Sequence, residues 1–187
     1  MAGQAYELPR NTQFSIFLEN RVGKLLELIE TFDSQAVRVV ALNVMDAADY
    51  AVARVLTSRQ ELARRLLLRA GLPFSEIDVL VVGLGAEHTL TKLCKCLLQA
   101  ELNVHYAYPL LIQPHGQAAV ALYTDDQTMA GQILRRKMFA LLGENTCNLT
   151  SDFWSSVLLP PRMYSRKSWS ARLASSSLVF ISLLANR

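Results

Sequence analysis

The sequence predicts an α+β fold of two ferredoxin-like βαββαβ units, each an antiparallel sheet carrying its helices on one face. Three observations predict it. Short β-branched runs alternate with amphipathic stretches in the order strand, helix, strand, strand, helix, strand. That order then starts again further along the chain. Sliding the sequence by 65 residues sets Leu25 on Leu90 and Val39 on Val104, and a shift of 68 sets Ala51-Val52-Ala53 on Ala119-Val120-Ala121. Recurrence over about 60 residues in the same element order marks a tandem duplication. The expected divisions are an N-terminal extension, 1–13, a first unit, 14–76, a second unit, 77–151, and a tail, 152–187.

Residues 14–18 read as a short buried strand, and Glu19-Asn20-Arg21 as the polar turn after it. An amphipathic helix follows, with Leu25, Leu28, Ile29 and Phe32 on one face. Gly23 sits where strand becomes helix, so the backbone there can come close to a bound molecule. The first N–H groups of that helix lack intrahelical partners and form a cradle for a carboxylate or other anion. Residues 37–44 are a β-branched strand, 46–49 a turn, and 50–56 the returning antiparallel strand. Ser58 is placed to cap a second helix running to Ala70, and Gly71 closes it. On that helix Leu62, Leu66 and Ala70 face inward, while Arg59, Arg64, Arg65 and Arg69 face mostly outward. Residues 72–84 are one long strand or two short ones, ending the first unit and opening the second. Residues 89–100 then form a helix, 102–112 and 117–124 a hairpin, and 127–142 a last helix.

Composition excludes several classes. With 51% hydrophobic and 19% charged residues, the chain can bury a proper core. Net charge is +3, yet five basic and no acidic residues follow Phe153, leaving 14 basic against 16 acidic in 1–152, a balance of −2. A mildly acidic body is no nucleic-acid binder. Cys94, Cys96 and Cys147 are too few for a disulfide framework, which suits a reducing cytosol. No signal-peptide pattern opens the chain, and no apolar run reaches the length of a membrane span. The tail, with its Pro160-Pro161 break, the seven serines after it and the apolar run 173–185, reads as an extension outside the functional unit, and its contact with a membrane is not expected. Catalytic triads, Gly-rich phosphate loops and zinc motifs are absent from the sequence. His88, His105 and His115 have no ligand-like spacing, and Tyr106 with Tyr108 share one strand face suited to packing.

The repeat, together with Leu18-Glu19-Asn20-Arg21-Val22-Gly23-Lys24-Leu25, resembles the ACT domain, whose turn reads Glu-Asn-Arg-Pro-Gly-x-Leu. Val22 stands in place of the proline. The body 14–150 resembles a stand-alone pair of such domains without an attached enzyme. The resemblance implies a module that senses small molecules, mostly amino acids. In serine-sensing relatives an Asn in the turn and an Asn at the start of the second strand hold the ligand. Asn20 matches the first; the second falls on Arg38 in unit one and on Asn103 in unit two. In unit two Glu87-His88-Thr89 replaces the turn and the glycine is gone, leaving His88, Thr89 and Leu90 where Gly23 and its neighbours stand in unit one.

The resemblance therefore implies one composite pocket, built from Glu19, Asn20, Arg21, Val22, Gly23, Lys24 and Leu25 of unit one and Asn103 of unit two. It further implies a cytoplasmic, non-catalytic amino-acid sensor needing no cofactor or metal, acting by allosteric regulation. An exposed edge strand invites pairing with another sheet, so the units are expected to join edge to edge or back to back, and the chain to form a homodimer. The alternative is a regulatory subunit that acts by binding a partner enzyme.

Overall fold

Strand β1 (Asn11–Glu19), helix α1 (Lys24–Asp33), β2 (Val39–Ala47), β3 (Tyr50–Thr57), α2 (Gln60–Arg69) and the first half of β4 (Phe74–Gly83) make one βαββαβ unit. The second half of β4, α3 (Leu90–Gln99), β5 (Val104–Pro109), β6 (Ala119–Thr124), α4 (Gln127–Arg136) and β7 (Leu141–Leu142) make the next. They come from a computed structural model that describes residues 8–47 and 50–144. The tail expected from 152 onward, and turn residues 48 and 49, lie outside the described residues.

Residues 74–83 form a single strand. β4 pairs antiparallel with β1 from Phe74 to Val79 and with β6 from Leu80 to Gly83, while β7 lies against Val81 and Val82. The sheet order is β2-β3-β1-β4-β6-β5, with β7 beside β4. Each half thus has the strand order of a ferredoxin-like unit, and β4 is the last strand of one and the first of the other. The division expected between 76 and 77 runs through the middle of this strand. β3 lies inside its sheet and β2 at its margin, as expected. That margin meets the second half directly. Ala41 bridges Leu110, and the Leu111 N–H donates to the Val40 carbonyl at 2.9 Å.

Side chains alternate across a strand, so each half-sheet has two faces to cover. On one face Phe14, Ile16 and Leu18 pack with Leu28, Phe32 and Leu67 beneath α1 and α2. In the second half Leu80, Val82 and Leu122 pack with Leu93, Leu97 and Leu134 beneath α3 and α4. The opposite faces share a third, inner cluster that includes Val40, Leu56, Val79, Val81, Tyr108 and Ala121. The halves are therefore joined back to back as well as edge to edge.

The inner layer explains why β1 begins at Asn11, ahead of the apolar run at 14–18. Its inward face carries Asn11, Gln13 and Ser15, and buried polar groups persist only where they are hydrogen-bonded. Gln13 is fully buried: the Tyr108 hydroxyl donates to its Oε1 at 2.8 Å, and its Nε2 donates to the Tyr106 hydroxyl at 2.9 Å. Asn11 Nδ2 donates to the Leu142 carbonyl at 2.7 Å. Tyr106 and Tyr108 are thus packing residues of the inner layer. Burial pushes the Tyr108 hydroxyl well above its ordinary pKa.

Helices α1, α2, α3 and α4 stop in the same way. The N–H groups of Val37, Leu72, Leu102 and Phe139 donate back five residues to the carbonyls of Phe32, Leu67, Leu97 and Leu134, each at 2.9–3.1 Å. The residues before them, Ala36, Gly71, Glu101 and Met138, have φ of +53°, +65°, +57° and +62°. This is the Schellman stop, with an apolar pair closing each end. It corrects the expected last helix: α4 ends at Arg136 because Met138 turns left-handed, and residues 141–142 leave to form β7.

Ser58 is not the cap of α2. Its hydroxyl accepts from the Arg38 N–H at 3.0 Å, and the Gln60 N–H at the helix start donates to the Glu144 carboxylate at 3.0 Å instead. Arg64 likewise turns toward the sheet, with Nε donating to Glu76 Oε1 on β4 at 2.6 Å and a second contact to Glu61. That hydrogen bond from Arg64 holds the Glu76 carboxyl below the usual carboxylate range.

Two outcomes follow from these contacts. Replacing the exposed, left-handed Glu101 by glycine is expected to relieve backbone strain and raise the melting temperature by about 2–4 °C. Scanning calorimetry checks it, and a lower melting temperature would refute the stop at 101. Glu76→Gln is expected to cost about 1 kcal/mol at pH 7, because each partner is about a third exposed. A depressed carboxyl contributes above its unfolded pKa and loses that contribution as pH falls through its folded one. Urea melts of parent and variant should therefore converge below about pH 4.

Candidate functional site

The turn between β1 and α1 is built by its own short contacts. The Arg21 N–H donates to the Glu19 carbonyl at 2.7 Å, and the Arg21 guanidinium pairs with the Glu19 carboxylate. Asn20 Nδ2 donates to Asp46 Oδ1 at 3.0 Å, tying the turn to the far end of β2. Gly23 stands at φ +93° and precedes the first residue of α1, whose start has no side-chain cap. A Cβ placed on Gly23 would meet nothing within 4 Å. Val22 is fully exposed, Leu25 half-exposed, and the Lys24 ammonium pairs with Glu27 at 2.8 Å. A left-handed glycine, a bare helix start and open space together suit a small anionic group.

The corresponding turn in the second half is closed. Thr89 caps α3 with its own hydroxyl, which accepts the Lys92 N–H at 3.3 Å. Lys92 Nζ also donates to the Glu87 carbonyl at 2.6 Å. His88 is half-buried, edge-on to Phe139 with ring centres 4.8 Å apart, and its Nε2 lies 3.3 Å from the Lys137 carbonyl oxygen. Leu90, the first residue of α3, is exposed.

Strand pairing gives the level of each of these residues along β4. β1 runs past the start of β4, where Ile16 pairs with Phe74, whereas β6 ends and β5 starts alongside the middle of β4, just beyond the Leu80–Leu122 pair. Glu19 through Leu25 therefore lie beyond the start of β4, and Asn103 lies level with its middle. Asn103 is exposed there, its N–H 3.4 Å from Asp125 Oδ2 and its carbonyl accepting from the Asp125 N–H at 3.2 Å. Arg38 precedes β2 and is held to Ser58, with β2 spanning about 25–30 Å between Arg38 and the partner of Asn20. His88, Thr89 and Leu90 follow the far end of β4. The duplication thus puts a turn beyond each end of β4 and both second-strand starts level with its middle.

Sequence reasoning missed what surrounds Asn20. Asp46 belongs to β2 rather than to a turn, and the inner layer opens at this end. Phe17, Met45 and Tyr50 are 38%, 45% and 44% exposed, and the Phe17 and Tyr50 rings lie 6.0 Å apart. Behind them the Arg54 guanidinium stacks 4.1 Å over the Tyr106 ring. Apolar side chains half-open beside a polar turn carry no periodic signal in sequence. A separate cavity of about 900 Å³ lies beside α4, and none of the twelve expected site residues lines it.

The family whose description is an ACT domain pair matches residues 10–149. A solved structure of a protein from Bacteroides thetaiotaomicron is similar at 23% identity and a TM-score of 0.67, covering 74% of this chain and 95% of that one. The ligand-free regulatory subunit of aspartate kinase from Thermus thermophilus is similar at 11% identity and a TM-score of 0.47, over 71% of this chain and 95% of that one. The first likeness shows the fold; the second carries no argument. No curated protein matches the chain. Among the described residues no helix is long and apolar enough to cross a membrane.

Each turn has one residue whose substitution tests its build. Gly23→Ala puts a Cβ on left-handed backbone and is expected to cost about 1 kcal/mol despite the open space around it. Thr89→Ala removes the α3 cap at a similar cost of about 1 kcal/mol. Urea midpoints report both, and an unchanged midpoint for Gly23→Ala would contradict the left-handed turn.

Proposed function

The chain belongs to the ACT domain pair family, and from that premise we propose that it is a regulatory protein that binds a free amino acid reversibly and does no chemistry of its own. The observation that carries this reading is Gly23, left-handed at an uncapped helix start with open space before it. The ligand carboxylate sits on the first N–H groups of α1, where the helix dipole favours negative charge. Asn20 and Asn103 hydrogen-bond the ligand's polar ends. Its side chain covers Phe17, Met45 and Tyr50, whose exposure favours an apolar over a small polar amino acid. The counterpart place, Arg38 with His88, Thr89 and Leu90, has its cradle filled by Thr89 and is the weaker of the two. Binding between the halves shifts the populations of their arrangements.

The test is a melting-temperature screen against the twenty amino acids, followed by calorimetry on Asn20→Ala and Asn103→Ala. One amino acid should stabilise the parent. Each variant should bind it about tenfold more weakly or worse, the loss of a hydrogen bond to a charged group. If both variants keep the parent's heat, the composite pocket is wrong.

A further inference from the structure

The outer face of the first helical layer carries two rows of charge of opposite sign. Helix α1 holds Lys24, Glu27, Glu30 and Asp33, and the Lys24 ammonium pairs with Glu27 at 2.8 Å. The side chains of Glu30 and Asp33 remain, exposed and without a partner among the described residues. Helix α2 holds Glu61, Arg64, Arg65 and Arg69, and Arg64 is clasped by Glu61 and Glu76. The side chains of Arg65 and Arg69 remain, exposed and likewise unpaired among the described residues. One helix is thus left with two negative charges and its neighbour with two positive ones. Both rows belong to one surface, because Glu30 and Arg69 line the same groove between the helices.

Each row also carries one leucine in water. Leu26 is 60% exposed on α1, one turn before Glu30, and Leu68 is 63% exposed on α2, between Arg65 and Arg69. Helical spacing sets Leu26, Glu30 and Asp33 on one stripe, and Arg65, Leu68 and Arg69 on the other. The core beneath does not use either leucine; it is filled by Leu28, Phe32, Ala63, Leu66 and Leu67.

Such a face is complementary to itself. A half-turn about a line between the two helices sets α1 of one copy over α2 of the other, and α2 over α1. In a two-fold contact the same patch serves both copies, so every attraction is made twice. An unrelated partner would have no need of equal and opposite rows. The second helical layer does not allow this pairing: α3 and α4 carry Lys92, Lys95, Arg135 and Arg136 and no acidic residue, so two copies repel there. The margin strand β2 is not free for it either, since it already meets Leu110 and Leu111 of its own chain.

We propose that the α1–α2 face is the surface by which two copies of this chain associate. Glu30 and Asp33 of one copy oppose the partner's Arg65 and the partner's Arg69, and the contact takes Leu26 and Leu68 out of water. Two ten-residue helices, each about 15 Å long, offer a small area, so the dimer is reversible. The charges fix its register and make it sensitive to salt.

Sedimentation velocity on the full chain, over a series of concentrations and without added amino acid, is the test. The parent is expected to pass from monomer to dimer as concentration rises. Glu30→Arg with Asp33→Arg, and separately Arg65→Glu with Arg69→Glu, should each weaken the dimer about tenfold or more, since like charges then oppose. Lys95→Glu with Arg136→Glu, on the other helical layer, should leave it unchanged. Mixing the first two variants should restore a dimer, because a face whose unpaired charges are all basic then meets one where they are all acidic. That restoration requires both variants to be folded, so lost structure does not imitate it. A parent that stays monomeric overturns the proposal. So does a dimer that survives both reversals, one weakened as much by the change on α3 and α4, or a mixture that stays monomeric. The amino-acid heats are measured apart, so the ligand site and this surface can fail independently.

Discussion

The whole arrangement depends on β4 serving two sheets at once. A strand of ten residues offers one edge to β1 and β7 and the other to β6, and its two faces feed three different cores. Val79 and Val81 point into the inner layer while Leu80 and Val82 point under α3 and α4. No residue of β4 can be moved in register without turning every one of these side chains to the wrong face. The halves of the duplication are consequently not beads on a linker. Their relative placement is written into one continuous hydrogen-bonded backbone, and the inner cluster and the Ala41–Leu110 bridge close what that backbone has already aligned.

Given that constraint, the two ends of the sheet start as equivalents and differ only by side chains. At one end a glycine takes φ +93° and leaves the helix start bare; at the other a threonine fills the same role from within the chain. The physical difference is small, a single hydroxyl on a backbone N–H. Its consequence is large, because a helix start already capped has less to offer an incoming anion. Glu144 makes the same point on α2, where a carboxylate from beyond β7 occupies the helix start as a ligand would. Duplication supplied the cradles, and divergence decided which of them stay open.

Much of this was legible in the sequence, and the misses share a cause. Element order, the repeat, the inner place of β3 and the margin place of β2 all follow from local periodicity, which each half enforces on its own. The first residues of β1 were not legible, since Asn11 and Gln13 are polar and their partners, Leu142 and the tyrosines 106 and 108, are far away in sequence. The end of α4 was missed because Met138, and not glycine, takes the left-handed position, so the apolar run through 142 kept a helical look. Ser58 failed as a cap because Arg38, across a strand pair, claimed its hydroxyl first. At the candidate site the turn could be read from its residues. Its companions Asp46, Phe17 and Tyr50 could not, because only the sheet brings them beside it.

The same topology bears on how a bound ligand would be felt. Between the halves, β4 supplies a ladder of backbone hydrogen bonds on both edges, whereas the β2–β5 seam is a single bridge. One such bond is worth about 1 kcal/mol net, so the seam yields long before the shared strand does. Between the two lies the inner layer, whose Gln13–Tyr108 contact is buried and costly to break, but whose mouth at Phe17, Met45 and Tyr50 is already half open. A change in the angle between the halves therefore turns about β4 and spends its displacement at the mouth and the seam. Asn20, tied through Asp46 to β2, and Asn103, at the start of β5, stand on opposite sides of that seam. A molecule that hydrogen-bonds both of them acts where the lever is longest and the resistance least. A few kcal/mol of differential binding is then enough to shift the population of one arrangement over another.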